Sequence, residues 1–401
     1  MSAAQDADPM VYGDLQLLRE VETGNMRGVE TMLAAGAEPD GRPELNTRPL
    51  MVAAGLGKVS FVEFLVARGA GLNSRTCRDV PRPEGGIRLR TGSQAIHAAV
   101  HGGSPDVLYV LLRLGANPNA ADDDGETPLM IACGDPTKDR IGFELANILL
   151  NGGADPSLST HFGRTALSYA ARSGHTDVID LLLRVAPSRL DQADKYGVTP
   201  LCCAVQGGHE NSVSRLLSAG ATSLRFAMEL AVRFDQARIL KMLLTAVHAG
   251  ESDGPQVAEV VNSGPLLRLA ALHGHPGVTH VLLAAGADET READRGERAR
   301  DLIGIFVPDF ERNREKEVAI GRMLQQGAAF RSRSLAWPTE RAGSTTSAET
   351  SRATHIPLGV RVFQPTSTHV FVAGFVRFAQ EVRVVREKGP LRGRRLHSFK
   401  A

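Results

Sequence analysis

The sequence has few cysteines, and no two of them stand at the spacing of a metal or redox pair. The four are Cys77, Cys133, Cys202 and Cys203, and none forms a C-x-x-C motif. This excludes the common zinc and disulfide-exchange signatures. We expect Cys202 and Cys203 to be buried free thiols, which favours a reducing compartment.

Signals for secretion and for membrane insertion are also lacking. No N-x-S/T sequon occurs, and the first ten residues show no basic start followed by an apolar run. No segment approaches the 18 consecutive apolar residues that a membrane-spanning helix needs. These absences predict a cytoplasmic or nuclear protein.

Sequence motifs of catalysis are missing as well. The chain has no G-x-S-x-G, no H-E-x-x-H, no phosphate-binding G-x-x-x-x-G-K-[ST] and no glycine-rich dinucleotide loop after a strand. We therefore predict no catalytic residue, no cofactor and no small-molecule substrate.

What the sequence does contain is a ladder of Gly-Ala steps with a period of about 33 residues. The steps begin at Gly36, Gly69, Gly115, Gly153, Gly220, Gly286 and Gly327, with an altered Ala186-Pro187 step in the ladder. Residues 163–167 and 197–201, which precede two of them, align at an offset of 34. Such a period predicts an array of one small unit, and arrays supply surface for binding.

Each unit is predicted to hold two antiparallel helices. Thr127, Thr165 and Thr199 stand where helix N-caps are wanted, and Pro128 and Pro200 follow at the first helical position. Small residues follow on the first helix, and apolar residues recur at helical spacing on the second. The glycine of each Gly-Ala step should end the second helix in a left-handed conformation.

This pattern resembles the ankyrin repeat. Gly125-Glu126-Thr127-Pro128-Leu129 and its counterparts match the family's G-x-T-P-L start, and the Gly-His steps at 174, 208 and 274 match its later G-H. The resemblance implies an all-α solenoid of stacked antiparallel helix pairs with β-hairpin-like fingers. We expect the array to cover residues 11–329 in about nine units with degenerate terminal caps, and Val247 to Asn262 to form a loop.

The resemblance also bears on a possible metal site. His273, His275 and His280 could hold a metal in principle. His275, however, falls on the Gly-His step, where the family uses a hydrogen bond between loops, as we expect also for His175 and His209. We predict no metal.

The charge balance changes after the repeats. Residues 1–330 carry a net charge of −8, and residues 331–401 carry +9. Residues 330–401 are predicted to be a basic, largely disordered tail with a possible amphipathic segment at 370–386. That segment could meet an anionic membrane surface or a groove of a partner protein, or it could form strands, dock on the last repeat or be poorly constrained sequence. The basic run Arg392 to Arg395 is a weak signal for nucleic acid.

The resemblance implies that a protein partner meets the finger tips and the exposed positions of the first helices, which form a concave face. For Phe162 and Tyr196, packing between fingers is as good an interpretation as binding. The candidate residues on tips and helices are His101, Asp123, Asp124, Glu126, His161, Phe162, Arg164, Arg172, Lys195, Tyr196, Gln206 and His273.

One finger is longer than the others. The step from Gly69 to Gly115 is 46 residues, which places about 13 extra residues within Arg75 to Thr91. The insertion is basic and could pair with acidic groups or phosphates of a partner, or be a mobile solvated loop. The candidate residues here are Arg78, Arg82, Arg88 and Arg90.

The sequence thus favours a non-catalytic scaffold that binds one or more proteins. One alternative is a targeting adaptor, in which the array holds cargo and the basic tail holds a membrane surface or nucleic acid. The other is an enzyme with a site built between repeats.

Overall fold

The computed structural model describes residues 9–41, 48–77, 89–137, 139–249, 257–262, 265–292, 298–303 and 314–326. Within these ranges the chain is helical and forms no strand beyond isolated bridges. The α-helices are α1 Pro9–Thr23, α2 Met26–Ala34, α3 Pro49–Gly55, α4 Val59–Ala67, α5 Ala95–Gly102, α6 Pro105–Arg113, α7 Pro128–Gly134, α8 Asp139–Asn151, α9 Ala166–Ser173, α10 Thr176–Val185, α11 Pro200–Gly207, α12 Glu210–Ser218, α13 Leu224–Arg233, α14 Ala237–Ala249, α15 Val257–Asn262, α16 Leu266–Leu272, α17 Pro276–Ala284 and α18 Arg314–Gln325.

These helices stack as pairs in two layers. The inner layer runs α1, α3, α5, α7, α9, α11, α13, α16, each helix contacting the next, and the outer layer runs from α4 through α6, α8, α10, α12 and α14 to α17 in the same way. Within the described ranges there are eight such pairs, and a ninth, reduced unit follows, with the 3-10 turn Ala299–Leu302 against α16 and α18 against α17. The predicted all-α repeat solenoid is confirmed.

Thr127, Thr165 and Thr199 are the N-cap residues of their helices, as predicted, and two of them cap through the side chain. Thr127 accepts the N–H of Met130 and Thr199 accepts the N–H of Cys202, both at 3.4 Å, with proline at the first helical position. The side chain of Thr165 makes no capping hydrogen bond. Its hydroxyl instead lies 3.4 Å from that of Ser168.

The Gly-Ala steps end the outer helices as predicted. At the steps from Gly36 to Gly286 the glycines have φ between 89° and 97°, a left-handed conformation that side chains disfavour. The following alanine N–H then bonds the carbonyl five residues earlier, as Ala116 does with Leu111 at 2.9 Å. At the altered step the chain forms a 3-10 turn, Pro187–Arg189. Gly327 lies outside the described residues.

Neighbouring inner helices approach closely at their carboxyl ends. A Cβ atom added to Gly102 would lie 2.1 Å from the carbonyl oxygen of Gly55, and one added to Gly207 would lie 2.4 Å from that of Arg172. At the same position in α9, Ser173 donates its hydroxyl to the carbonyl of Gly134 at 2.9 Å. In these three helices the position holds either no side chain or one that hydrogen bonds to the preceding helix.

The histidines of the Gly-His steps have the predicted structural role. Each ring donates to a carbonyl at the end of the preceding inner helix: His175 to Cys133 at 3.1 Å, His209 to Arg172 at 2.9 Å and His275 to Arg233 at 3.0 Å. Lys58 takes the same place in the second repeat, donating to the carbonyls of Val21 and Glu22 at 2.8 and 2.7 Å. The last carbonyls of a helix have no hydrogen-bond donor within the helix, and these side chains supply the missing donors.

Replacing Lys58 with methionine should lower the free energy of unfolding by about 1 to 2 kcal/mol. The change keeps the length of the side chain but removes two charge-assisted hydrogen bonds to a helix end. Urea unfolding followed by circular dichroism measures it, with Lys241→Met, on the exposed side of α14, as the control. Equal losses in the two variants would contradict the bridging role of Lys58.

The predicted loop from Val247 to Asn262 was wrong in its described parts. Helix α14 continues to Ala249, and Val257–Asn262 forms α15. Asn262, the last residue of the second helix, donates its side-chain amide to the carbonyl of Gly286 at 3.0 Å and accepts the N–H of Asp288 at 2.7 Å. The end of α15 is thereby tied to the turn after α17. The predicted tail, 330–401, lies outside the described residues.

Candidate protein-interaction surface

Three consecutive fingers share one turn: residues 122–126 before α7, 160–164 before α9 and 194–198 before α11. In each, the first side chain accepts the N–H groups two and four residues later; Asp194 accepts those of Tyr196 and Val198, both at 2.9 Å. Asp122 and Thr160 make the equivalent bonds. The second and third residues are left at the tip, which is the position of Phe162 and Tyr196 in the sequence pattern.

The fingers are joined by backbone hydrogen bonds. The N–H of Asp123 donates to the carbonyl of Thr91 at 3.0 Å, that of His161 to Asp124 at 3.1 Å and that of Lys195 to Phe162 at 2.8 Å. Each bond connects one tip to the next along the array. The row of tips is therefore ordered before any partner arrives.

The base of the long finger is fixed to the finger that follows it. Thr76 pairs with Ser93 and Gly92 through two backbone hydrogen bonds of 2.9 Å, which closes the insertion at its root. Arg75 forms an ion pair of 2.7 Å with Asp123, and Arg90 forms ion pairs with Asp124 and, at 3.3 Å, with Glu126.

These contacts change the interpretation of four candidate residues. The guanidinium group of Arg90 contacts the neighbouring finger. Glu126 is only 9% exposed and also accepts a hydrogen bond from the hydroxyl of Tyr169 at 2.6 Å. Asp123 and Asp124 are engaged by the arginines on the insertion's base. Opposite charges one repeat apart, such as Arg90 and Asp124, are the sequence signal from which these ion pairs between fingers could have been predicted. Arg78, Arg82 and Arg88 lie outside the described residues.

Burial of the Asp122 carboxyl changes its pKa. Burial, and after it the charge of Glu126, raises the pKa of Asp122 to about 6. The hydrogen bonds that Asp122 accepts from backbone N–H groups lower this pKa and offset part of the rise. Burial and Glu126 likewise raise the pKa of Tyr169. Tyr169 therefore stays a neutral hydroxyl donor to Glu126.

The Asp122 carboxyl should make stability fall as pH rises from about 4 to about 6. The folded chain keeps a proton there that the unfolded chain has released, so deprotonation favours unfolding, by about 2 to 3 kcal/mol across that window. Asp122→Asn carries no such proton and should gain about that much relative to the wild type between pH 4 and pH 7. Urea unfolding at both pH values measures it; identical pH profiles would contradict the raised pKa.

The next two tips carry exposed aromatic and basic side chains. Phe162 and Tyr196 are 39% and 37% exposed, and their rings stack with centroids 6.4 Å apart and planes at 21°. His161 and Lys195 are exposed beside them. The two interpretations of the aromatic pair are therefore compatible, since the rings pack on each other and still face solvent.

Two polar side chains of the inner helices belong to the same repeats as these tips. Arg172 on α9 and Gln206 on α11 stand at the same position one repeat apart, and both are half-buried. Burial, followed by the charge of Arg164, lowers the pKa of Arg172. Arg164 itself forms an ion pair of 3.2 Å with Asp194, which is buried. We call the set His161, Phe162, Arg172, Lys195, Tyr196 and Gln206 the aromatic tip surface.

The remaining candidates lie elsewhere along the array. His101 is on α5, and His273 directly follows α16, so neither shares the two repeats of the aromatic tip surface. The ring of His273 stacks on that of His275, with centroids 5.7 Å apart. Burial, together with the charges of His275 and Arg233, lowers the pKa of His273 to about 4, which keeps it neutral near pH 7.

Neither a metal cluster nor a membrane span is found in the described ranges. They contain no group of three His, Cys, Asp or Glu side chains that could hold a metal, and none of their helices is both long and apolar enough to cross a bilayer. The prediction for cysteine is confirmed: Cys202 and Cys203 are buried free thiols. Burial raises the pKa of both thiols.

Stacked helix pairs with glycine-turned fingers define a solenoid of helical repeats. A family model described as ankyrin repeats, in three copies, matches residues 50–137 and 137–226. Residues 50–226 therefore belong to the ankyrin-repeat family. Repeats of this family are generally non-catalytic and suggest a protein-interaction scaffold.

Curated relatives show the same repeats in different settings. The chain is 28% identical over 322 residues to E3 ubiquitin-protein ligase KEG of Arabidopsis thaliana, covering 74% of this chain and 18% of the ligase. It is 24% identical over 217 residues to transient receptor potential cation channel subfamily A member 1 of Drosophila melanogaster, covering 52% and 17%. It is 31% identical over 183 residues to human ankyrin repeat domain-containing protein 63, covering 43% of each chain. The chain thus spans less than a fifth of the first two relatives.

Proposed function

We propose that this protein is a non-catalytic scaffold that recognises a protein partner through the finger tips and inner helices of its ankyrin array. The aromatic tip surface is the observation that carries the proposal. Exposed aromatic side chains with ordered surroundings are the residues that most often dominate protein interfaces. Relatives that are a ligase and a channel support the repeats as a module used in different proteins.

Preorganisation is the proposed mechanism of recognition. The tips are bonded to one another through backbone N–H groups, and each tip is braced by its own Asp or Thr. Little conformational entropy remains to be lost on binding, so more of the contact energy is available for affinity. The buried free thiols of Cys133, Cys202 and Cys203 support placing this function in a reducing compartment, such as the cytosol or nucleus.

Photo-cross-linking in cells tests the proposed surface, because it captures whichever protein lies against a chosen position. Benzoylphenylalanine is placed at position 161 or 206 of the full chain, and at position 109 or 238 on the outer helices as matched controls. We expect discrete cross-linked protein species from the first two positions only. Cross-links from the outer positions alone would place recognition on the other side of the array and overturn the proposal.

A further inference from the structure

The charges around the aromatic tip surface distinguish it from the rest of the array. Residues 1–330 carry a net charge of −8, yet the two aromatic tips bear His161 and Lys195, and Arg172 lies on the inner helix beside them. Three acidic groups of these fingers are already engaged: Asp124 and Glu126 with Arg90, and Asp194 with Arg164. In the part of the chain that the structure describes, no carboxylate pairs with the ammonium group of Lys195.

From these observations we propose that the aromatic tip surface binds an acidic, extended segment of a partner protein, with its apolar side chains on Phe162 and Tyr196 and its carboxylates toward Lys195 and Arg172. This inference rests on the proposed function and names the chemistry of the partner. A basic segment would meet like charges at Lys195 and Arg172, which disfavours binding.

The spacing of the two rings fits an extended segment. Side chains two residues apart on an extended chain lie on the same face, separated by roughly 6.6 Å. The ring centroids of Phe162 and Tyr196 are 6.4 Å apart, so two apolar side chains at positions i and i+2 can each lie against one ring. The residue between them then points away from the rings.

Arg172 supports the acidic character of the segment. Its guanidinium is half-buried and lies within the field of Arg164, and both effects disfavour its positive charge. A carboxylate arriving from the partner would offset the repulsion between these two positive charges. The aromatic rings would provide contact area beside it.

Fluorescence anisotropy with the full chain and designed 12-residue labelled peptides tests the inference. The probe carries two leucines at i and i+2 within an Asp/Ser sequence. Three controls change one feature each: the leucines become serines, the aspartates become lysines, or the leucines are made adjacent. We expect the probe to bind about tenfold tighter than each control, with affinity falling as salt rises.

Variants assign the binding to this surface. Lys195→Glu should weaken the probe about tenfold, whereas Arg238→Glu, an exposed arginine on outer helix α14, should leave it unchanged. Equal binding of the lysine peptide, no effect of Lys195→Glu, or tighter binding of an oligothymidine competitor would each overturn the inference. Persistent cross-links from position 161 would show that the proposed function stands even if the acidic preference fails.

Discussion

Replacing Gly102 with alanine should lower the free energy of unfolding by about 3 kcal/mol, although the residue is exposed. The new Cβ atom would lie 2.1 Å from the carbonyl oxygen of Gly55 on the neighbouring inner helix. Both atoms belong to the backbone framework of packed helices, so no side-chain rotation can relieve the overlap. Helices α3 and α5 must separate, and in a repeat array the interface between neighbours is a main source of stability.

Gly13→Ala is the matched control for this prediction. Gly13 lies within α1, and an added Cβ atom would meet nothing within 4 Å. Alanine should there stabilise the helix by about 0.5 to 1 kcal/mol, because it restricts the unfolded chain more than glycine does. Urea unfolding by circular dichroism measures both variants. Similar unfolding midpoints for Gly102→Ala and the wild type would show that the inner helices are not packed this tightly.

Replacing Phe162 and Tyr196 together with alanine should weaken partner binding about 30- to 100-fold. The two rings form one stacked platform, so removing both deletes the apolar centre of the proposed interface and leaves its charged rim. Their exposure limits the stability lost, which should be about 1 kcal/mol. The partner identified by cross-linking, immobilised on a biosensor, provides the binding measurement.

Tyr109→Ala controls for the loss of an exposed aromatic ring. Tyr109 is 61% exposed on outer helix α6, outside the proposed surface, and its removal should leave binding unchanged. A double variant that binds like the wild type, while remaining folded by circular dichroism, would remove the aromatic pair from the interface.

The parts of the fold that are local in sequence could be predicted, because each depends on a short motif. The left-handed glycine at position 115 follows from its Gly-Ala step, and the caps at Thr127 and Thr199 follow from the proline after each threonine. Thr165 lacks that proline, and its hydroxyl lies 3.4 Å from that of Ser168 without capping the helix. The remaining helix pairs could be predicted because the same motifs recur along the sequence.

Contacts between repeats were harder to predict, because they depend on which side chains meet. The basic insertion suggested a binding element, yet Arg75 and Arg90 at its base serve the neighbouring acidic finger. Glu126 was expected at a tip and instead accepts the hydroxyl of Tyr169, 43 residues later. Lys58, by contrast, shows that a different residue type can perform the role of the Gly-His histidine.

Hydrogen exchange on the complex with the cross-linked partner is the sharpest test of recognition through the tips and inner helices. We expect slower amide exchange in the fingers 160–164 and 194–198 and in inner helices α9 and α11 when the partner is bound. The outer helices α10 and α12 should exchange as in the free protein. Protection confined to α10 and α12, with unchanged exchange in both fingers, would contradict recognition through the tips and inner helices.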